Sequence, residues 1–320
     1  MTYPPPFFIV GCKRSGTTML RLMFAAHPDV CVPPESMFFV QMEDAFGKGL
    51  PDTSKVDTFV AHLYENEKFC EWGVDRSTLR GRLSTLVPCT YAEAVSAVYR
   101  TYCEGVDPEA TRWGDKNPEY VRELPRIFEH YPDAHVIHLV RDVRAVYNSH
   151  KSKKVIENWD YLNPDRLLHT VSHEWQRCGK VYQEYAHDDR VNTIFYEDLV
   201  TDLESVLRTL CEAIDLSFEP EMLDFYEKNR EEQLVPSHRR EWHEKTFQPV
   251  DPQRAVAWKD KLSDAEVQAL EIINQDPLSR FDYSFLSASP RLLGRLLLFT
   301  NYVSNSLSYY ASTFTRRLGR

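Results

Sequence analysis

The chain reads as an α/β protein built on an open, mostly parallel sheet with helices on both faces and helical insertions. Three observations carry this. Short apolar runs of strand length alternate with longer segments of helical period. The first run passes through a glycine-bounded polar loop straight into a helix, the βα turn on which such sheets carry anion sites. And 320 residues with 42% hydrophobic content are enough to bury one large core.

The elements follow in order. Pro6-Phe-Phe-Ile-Val-Gly11 is an apolar run closed by glycine, and Thr17 to His27 places Met19, Leu22, Met23 and Ala26 at helical spacing. Val30 to Val32 is a second extended segment, stopped by Pro33 and Pro34, and a third runs from Thr111 to Gly114 before Asn117-Pro118. His135 to Val140 is the clearest buried strand, and Val191 to Tyr196 is the last. Helices are predicted over roughly 84–104, 119–131, 142–154, 165–187, 200–214 and 263–275. With no internal repeat or low-complexity linker, residues 1–284 form one domain and 285–320 a separate C-terminal segment. In such sheets ligands sit beyond the carboxyl ends of the strands.

The charge balance narrows the ligand. With 38 Lys and Arg against 48 Asp and Glu, the formal net charge of −10 excludes a general nucleic-acid binder, whose affinity comes from neutralising many phosphates. An anion can be bound only locally. Five arginines and no acidic residue follow Asp282, so the tail is basic and the body more acidic than the total suggests. Seven cysteines without a C-x-x-C pair argue for reduced structural thiols rather than a disulfide framework or zinc module. The N-terminus lacks a basic stretch and a long apolar run, and no run of about 18 apolar residues occurs. The expectation is a cytoplasmic protein, soluble or peripheral to a membrane.

Gly11-Cys-Lys-Arg-Ser-Gly-Thr-Thr18 has the frame G-x-x-x-x-G-x-T between strand and helix. The amides of Gly16, Thr17 and Thr18 open the helix and present N–H donors at the positive end of its dipole. A triphosphate-binding loop would need lysine where Thr17 stands. Here the cations, Lys13 and Arg14, lie inside the loop, which suits a terminal anionic group neutralised without a metal.

Lys13-Arg-Ser-Gly-Thr-Thr18 resembles the 5′-phosphosulfate loop of sulfotransferases that use 3′-phosphoadenosine 5′-phosphosulfate. Arg14 through Arg21, with Ala26-His-Pro-Asp-Val30, is especially similar to protein-tyrosine sulfotransferases and their bacterial relatives. Arg141-Asp-Val-Arg-Ala-Val-Tyr-Asn-Ser149, at a strand end, resembles the family's 3′-phosphate motif; Arg141 can offer a bidentate fork and Ser149 a hydroxyl. Phe195-Tyr196-Glu-Asp-Leu199 and Trp258-Lys-Asp-Lys-Leu262 are similar to the family's nucleotide-bordering and closing segments. The resemblance implies a P-loop-like fold, 3′-phosphoadenosine 5′-phosphosulfate as co-substrate, and a donor site of Lys13, Arg14, Ser15, Gly16, Thr17, Thr18, Arg141, Ser149 and Tyr196.

Sulfuryl transfer needs cations around the sulfonate and a base for the acceptor. Arg14 and Lys13 are the first cations. Glu35, 21 residues after Arg14 and fixed by two prolines, is the base candidate, ahead of His27, His138, His238 and His243. The resemblance implies the same role for it. Lys116, in Trp113-Gly-Asp-Lys-Asn-Pro118, matches a family turn whose lysine is implied to stabilise charge on the transferred group. The family carries proline where Lys13 stands.

The expected reaction is sulfuryl transfer to a hydroxyl on a small molecule, lipid, glycan or peptide, with no metal and no nucleic-acid partner. The alternatives are a P-loop kinase-like phosphotransferase and a non-catalytic, membrane-recruited anion-binding protein. The second rests on the tail, where Leu292, Leu296, Phe299, Val303, Leu307, Tyr310, Phe314 and Leu318 form an amphipathic stripe between arginines. Such a helix packs on the domain or on a partner subunit, as in a homodimer, or lies on an anionic membrane.

Overall fold

The computed structural model describes residues 3–153, 164–236, 238 and 240–286. Its elements open with β1 (Phe7–Gly11), α1 (Thr17–Ala25), β2 (Val30–Cys31), α2 (Phe38–Phe46), α3 (Thr53–Leu63), α4 (Glu67–Cys70), α5 (Arg76–Leu86), α6 (Tyr91–Val106) and β3 (Arg112–Lys116). Next come α7 (Leu124–His130), β4 (His135–Val140), α8 (Val143–Lys153), α9 (Pro164–Glu184), β5 (Val191–Phe195), α10 (Tyr196–Thr201) and α11 (Leu203–Ala213). The chain ends in α12 (Phe225–Glu232), α13 (Arg240–His243), α14 (Asp264–Ile273) and α15 (Gln275–Arg280). The amphipathic stripe of the tail lies outside the described residues.

The chain divides into two compact units, one of Met1–Arg141 with Lys180–Pro252, the other of Asp142–Gly179 with Gln253–Arg320. The first holds a single parallel sheet in the order β2-β3-β1-β4-β5. β1 is central and wholly buried, which is why it reads as an unbroken apolar run rather than an alternating one. Phe7 lies opposite Gly114 on β3, and any Cβ at Gly114 would collide with the Phe7 ring, so the glycine is needed for the register. Trp113 on the same strand stacks on Tyr99 of α6 at a centroid distance of 4.1 Å.

In the second unit, Arg144 is buried between Asp142 and Glu271, with its guanidinium 4.2 Å from the Trp258 ring centroid. The α14 helix starts in a capping box, Ser263 with Glu266, and Glu266 also receives Lys151 at 2.7 Å.

All five predicted strands are present. The helical readings were less accurate at their ends, and α2, α3, α4, α12, α13 and α15 were not predicted. The stretch 84–104 takes in only the end of α5, which starts at Arg76, and then most of α6; the two are separate because Pro88 cannot donate to a continuing ladder and Thr90 with Glu93 forms a capping box that starts α6. The stretch 119–131 begins as a 3₁₀ turn, with Pro125 setting the start of α7, and 200–214 breaks at Asp202. Tyr196, read as the end of a strand, is the first residue of α10.

The expectation of reduced thiols is corrected as well. Cys31 on β2 and Cys103 on α6 form a disulfide, with Cα atoms 5.7 Å apart at a sequence separation of 72. Spacing rules detect clustered cysteines; this pair meets only because the fold brings α6 beside β2. Thiol usage therefore no longer supports a cytoplasmic location. Among the described residues no helix is long and apolar enough to cross a membrane.

Candidate active site

Every strand of the sheet delivers residues to one edge. The β1–α1 loop turns on two left-handed positions, Arg14 at φ 71° and Gly16 at φ 103°. A Cβ on Gly16 would stand 2.7 Å from the Tyr196 ring, so glycine is required both for the turn and for the ring that closes over it. No side chain caps α1, which leaves its first amides facing out of the loop. Ser15 is fully buried, and its Oγ has no hydrogen-bond partner among the described residues. Uncapped amides and an unpartnered buried hydroxyl are the features of an anion cradle.

From β4, Arg141 donates to the Arg14 carbonyl at 3.1 Å and lays its guanidinium over the Tyr196 ring at 3.9 Å. Three of the sequence-predicted donor residues are thus joined around Gly16. Lys13 is half exposed and pairs with Glu119 at 3.1 Å. Ser149 lies on α8, in the second unit, where its carbonyl accepts from Ser152.

Glu35 follows β2 on a loop that is held along its length. The buried Arg21 of α1 donates to the Val32 carbonyl at 2.9 Å, and Trp72 Nε1 donates to the Pro34 carbonyl at 2.9 Å. Asn66 donates to the Ser36 carbonyl at 2.8 Å, and the Met37 N–H donates to Asn117 Oδ1 at 3.2 Å. Four anchors around one carboxylate fix its backbone more firmly than a loop normally permits.

The carboxylate itself meets two cations. Lys116, at the end of β3 and 5% exposed, places Nζ 3.1 Å from Glu35 Oε2 and 3.5 Å from Thr18 Oγ1 on the cradle helix. Lys68 on α4 reaches Glu35 Oε1 at 2.7 Å. Burial alone would push the Glu35 carboxyl up, but Lys116 and then Lys68 outweigh it and hold the group down at about 2. Burial lowers the Lys116 ammonium, and Glu35 opposes that shift.

Beneath Lys116, Asp115 accepts from Tyr99 Oη at 2.5 Å and from Asn117 Nδ2 at 2.6 Å, so the same side chains that pack the core orient the Asn117 that holds Met37. Burial pushes the Asp115 carboxyl up from 3.8 to about 7 against those hydrogen bonds. A raised carboxyl stabilises the fold fully below pH 3.8 and loses that contribution as pH rises through about 7. Asp115→Asn should therefore flatten the fall in melting temperature between these two values, and an unaltered slope in thermal melts would refute this.

Two of the four competing histidines, His27 and His138, are packed into the fold. His27 accepts the Asp29 N–H on Nδ1 and bonds the Ser217 carbonyl through Nε2, which makes it a packing residue at the end of α1. His138 is buried in β4 against Thr193, and burial lowers it to about 4. His238 lies 3.4 Å from Glu71. Lys68 and the Tyr99–Asp115–Asn117 chain escaped sequence reasoning, since Lys68 sits 33 residues beyond Glu35 in an insertion without a motif. Among the described residues no group of His, Cys, Asp and Glu side chains is arranged to hold a metal ion.

A cradle, a carboxylate and Lys116 at the strand ends of one parallel sheet, with Lys68 brought in by α4, suit transfer of an anionic group, and comparison with known proteins names the family. The model of the sulfotransferase family matches residues 5–220, more than half of the chain and every residue of the cradle and the Glu35 cluster. The chain belongs to the sulfotransferase family. A protein-tyrosine sulfotransferase of Drosophila melanogaster is 24% identical over 263 residues, covering 81% of this sulfotransferase and 48% of the fly protein. Protein-tyrosine sulfotransferase A of Caenorhabditis elegans is 22% identical over 272 residues, 84% of this chain and 65% of the worm protein. This sulfotransferase thus spans between about half and two thirds of the length of these relatives. Among solved structures, the sulfotransferase domain from the curacin biosynthetic pathway superposes with a TM-score of 0.60 at 21% identity, over 89% of this chain and all of that one. The sulfotransferase domain of the Synechococcus PCC 7002 olefin synthase follows at 0.58, also 21% identical, over 89% of this chain and 97% of that one. Both establish the P-loop-like α/β fold.

Proposed function

We propose that this sulfotransferase moves the sulfuryl group of 3′-phosphoadenosine 5′-phosphosulfate to a hydroxyl acceptor, with Glu35 as general base. The observation that carries the reading is one junction. Lys116 bridges the base candidate and the cradle helix, 3.1 Å from Glu35 and 3.5 Å from Thr18. A group held in the cradle and a hydroxyl held at Glu35 would therefore meet at a single buried ammonium.

In the proposed step the acceptor oxygen bonds to sulfur, the bond from sulfur to the 5′-phosphate oxygen breaks, and the acceptor proton passes to Glu35. 3′-Phosphoadenosine 5′-phosphate leaves. The residues present suit that donor: the uncapped amides of α1 and the Ser15 hydroxyl for its phosphosulfate, Arg141 for its 3′-phosphate, and the Tyr196 ring as a wall. Arg14 and Lys116 neutralise the charge that develops on the sulfonate and leaving oxygens, an effect that is large when the cations are preorganised away from water. A triphosphate kinase chemistry is disfavoured by Thr17 at the position where the loop lysine of that class belongs.

Calorimetry tests the donor site without turnover. Full-length protein should bind 3′-phosphoadenosine 5′-phosphate, and Arg141→Met should weaken binding by about 10- to 100-fold, the worth of a charge-assisted phosphate contact. Absence of binding to the unmodified protein would sink the reading.

A further inference from the structure

A cavity of about 510 Å³ opens in the first unit next to the Glu35 cluster. Lys68 is the shared wall: its side chain lines the cavity, and its Nζ lies 2.7 Å from Glu35 Oε1. Ser36, the residue after Glu35, also lines it; it is 1% exposed, and its Oγ has no hydrogen-bond partner among the described residues. A buried hydroxyl without a partner is costly unless a bound molecule satisfies it. The volume is that of a site for a small organic ligand.

The lining has a clear polarity. Met42 and Phe46, both buried, supply apolar surface from α2. Three carboxylates, Glu65, Glu67 and Glu119, share the lining with the ammonium of Lys68 and the imidazole of His62, whose Nδ1 bonds the Thr58 carbonyl. That ammonium is already balanced by Glu35, and Glu119 is taken up by Lys13 and Arg122. Glu65 and Glu67 are exposed and have no ion-pair partner among the described residues. The uncompensated charge of the cavity is therefore negative, the opposite of that carried by the cradle cations Lys13 and Arg14.

We infer that this cavity is the acceptor subsite and that it selects a hydroxyl compound with an apolar or aromatic body and a cationic group, rather than an anionic one. The inference rests on the sulfuryl-transfer reading for the word acceptor. The ligand's apolar body lies on Met42 and Phe46, its hydroxyl enters past Ser36 and Lys68 toward Glu35, and its cation remains near Glu65 and Glu67, where little desolvation is required. The acidic rim also prevents the anionic donor from occupying the acceptor side, so the two substrates sort themselves by charge on either side of one carboxylate.

The test is a ladder of three phenols of similar size and different charge: tyramine, 4-ethylphenol and 3-(4-hydroxyphenyl)propionate. Each is titrated by calorimetry into full-length protein saturated with 3′-phosphoadenosine 5′-phosphate. Tyramine should bind about fivefold more tightly than 4-ethylphenol, and the propionate more weakly than either, the size expected for partly screened charges several ångström apart. A Glu65→Gln, Glu67→Gln double variant should bring the three together, and Met42→Trp should weaken all of them. Equal affinities, tightest binding by the propionate, no binding by any of the three, or indifference to Met42→Trp would each overturn the inference. Nucleotide binding is measured first. If it fails, the donor reading falls by itself, and the ladder is run on nucleotide-free protein, where the same order supports the cavity and its loss refutes it.

Discussion

Glu35→Gln should lower kcat/KM for sulfuryl transfer by about 10²- to 10⁴-fold, the range that a positioned general base contributes, while 3′-phosphoadenosine 5′-phosphate still binds. The amide keeps the shape of the side chain, and its single oxygen can still accept from one of the two lysines, but it carries no charge and cannot take up the acceptor proton. With both lysines in contact the carboxyl is held near 2, so it is ionised across the whole physiological range, yet too weakly basic to be at its best. In the proposed step an anionic sulfonate would compete for Lys116. As that ammonium turned from Glu35 to the donor, the carboxyl would lose one of its two cationic partners and its basicity would rise. The acid limb of the kcat profile should therefore lie above the resting value of about 2. Stability supplies a separate readout. A depressed carboxyl contributes fully above its ordinary 4.5 and loses that contribution as pH falls toward about 2, so the advantage of the unmodified protein over Glu35→Gln in thermal melts should shrink through that window. Undiminished kcat/KM in the variant would remove Glu35 from the mechanism.

Lys116→Met should cost about 10²- to 10³-fold in kcat, the effect of removing one preorganised donor from a developing oxyanion. Methionine matches the stem of lysine and fills the buried site without the charge, so the fold should be retained. Two measurements separate its role from that of the cradle. Nucleotide affinity should change little, because the cradle amides and Arg141 remain. The Glu35 carboxyl should titrate higher, since only Lys68 still holds it down. A variant that binds donor poorly but turns over normally at saturation would place Lys116 in the cradle rather than at the transferred group.

Much of this site is legible in the chain because strand-end loops are local. The loop from Gly11 to Thr18 carries its glycines, cations and helix start within eight residues, and Arg141 and Tyr196 each follow an apolar run that can be read as a strand. Glu35 stands four residues beyond β2 and Lys116 is the last residue of β3, so knowing the sheet is enough to send them to the same edge. What could not be read are partners supplied by segments without a period or a motif. Lys68 sits on a four-residue helix, too short to show helical spacing, and is delivered to Glu35 only because Asn66 caps that helix and ties it to the Ser36 carbonyl. Arg21 stood in the quoted motif, yet its grip on the Val32 carbonyl depends on how α1 packs beside β2.

By itself the sequence determined the alternation of strands and helices, the glycine-shaped anion cradle and the absence of a triphosphate lysine, since each is written in residues close together along the chain and expressed through backbone geometry. Only the tertiary structure decided how the charges are shared. It placed two lysines on Glu35, one glutamate on Lys13, a disulfide between Cys31 and Cys103, and an acidic, apolar-floored cavity beside the Glu35 cluster. Those pairings join residues tens of positions apart, and the Coulomb and burial energies that set their protonation depend on distances of about three ångström that no sequence spacing encodes.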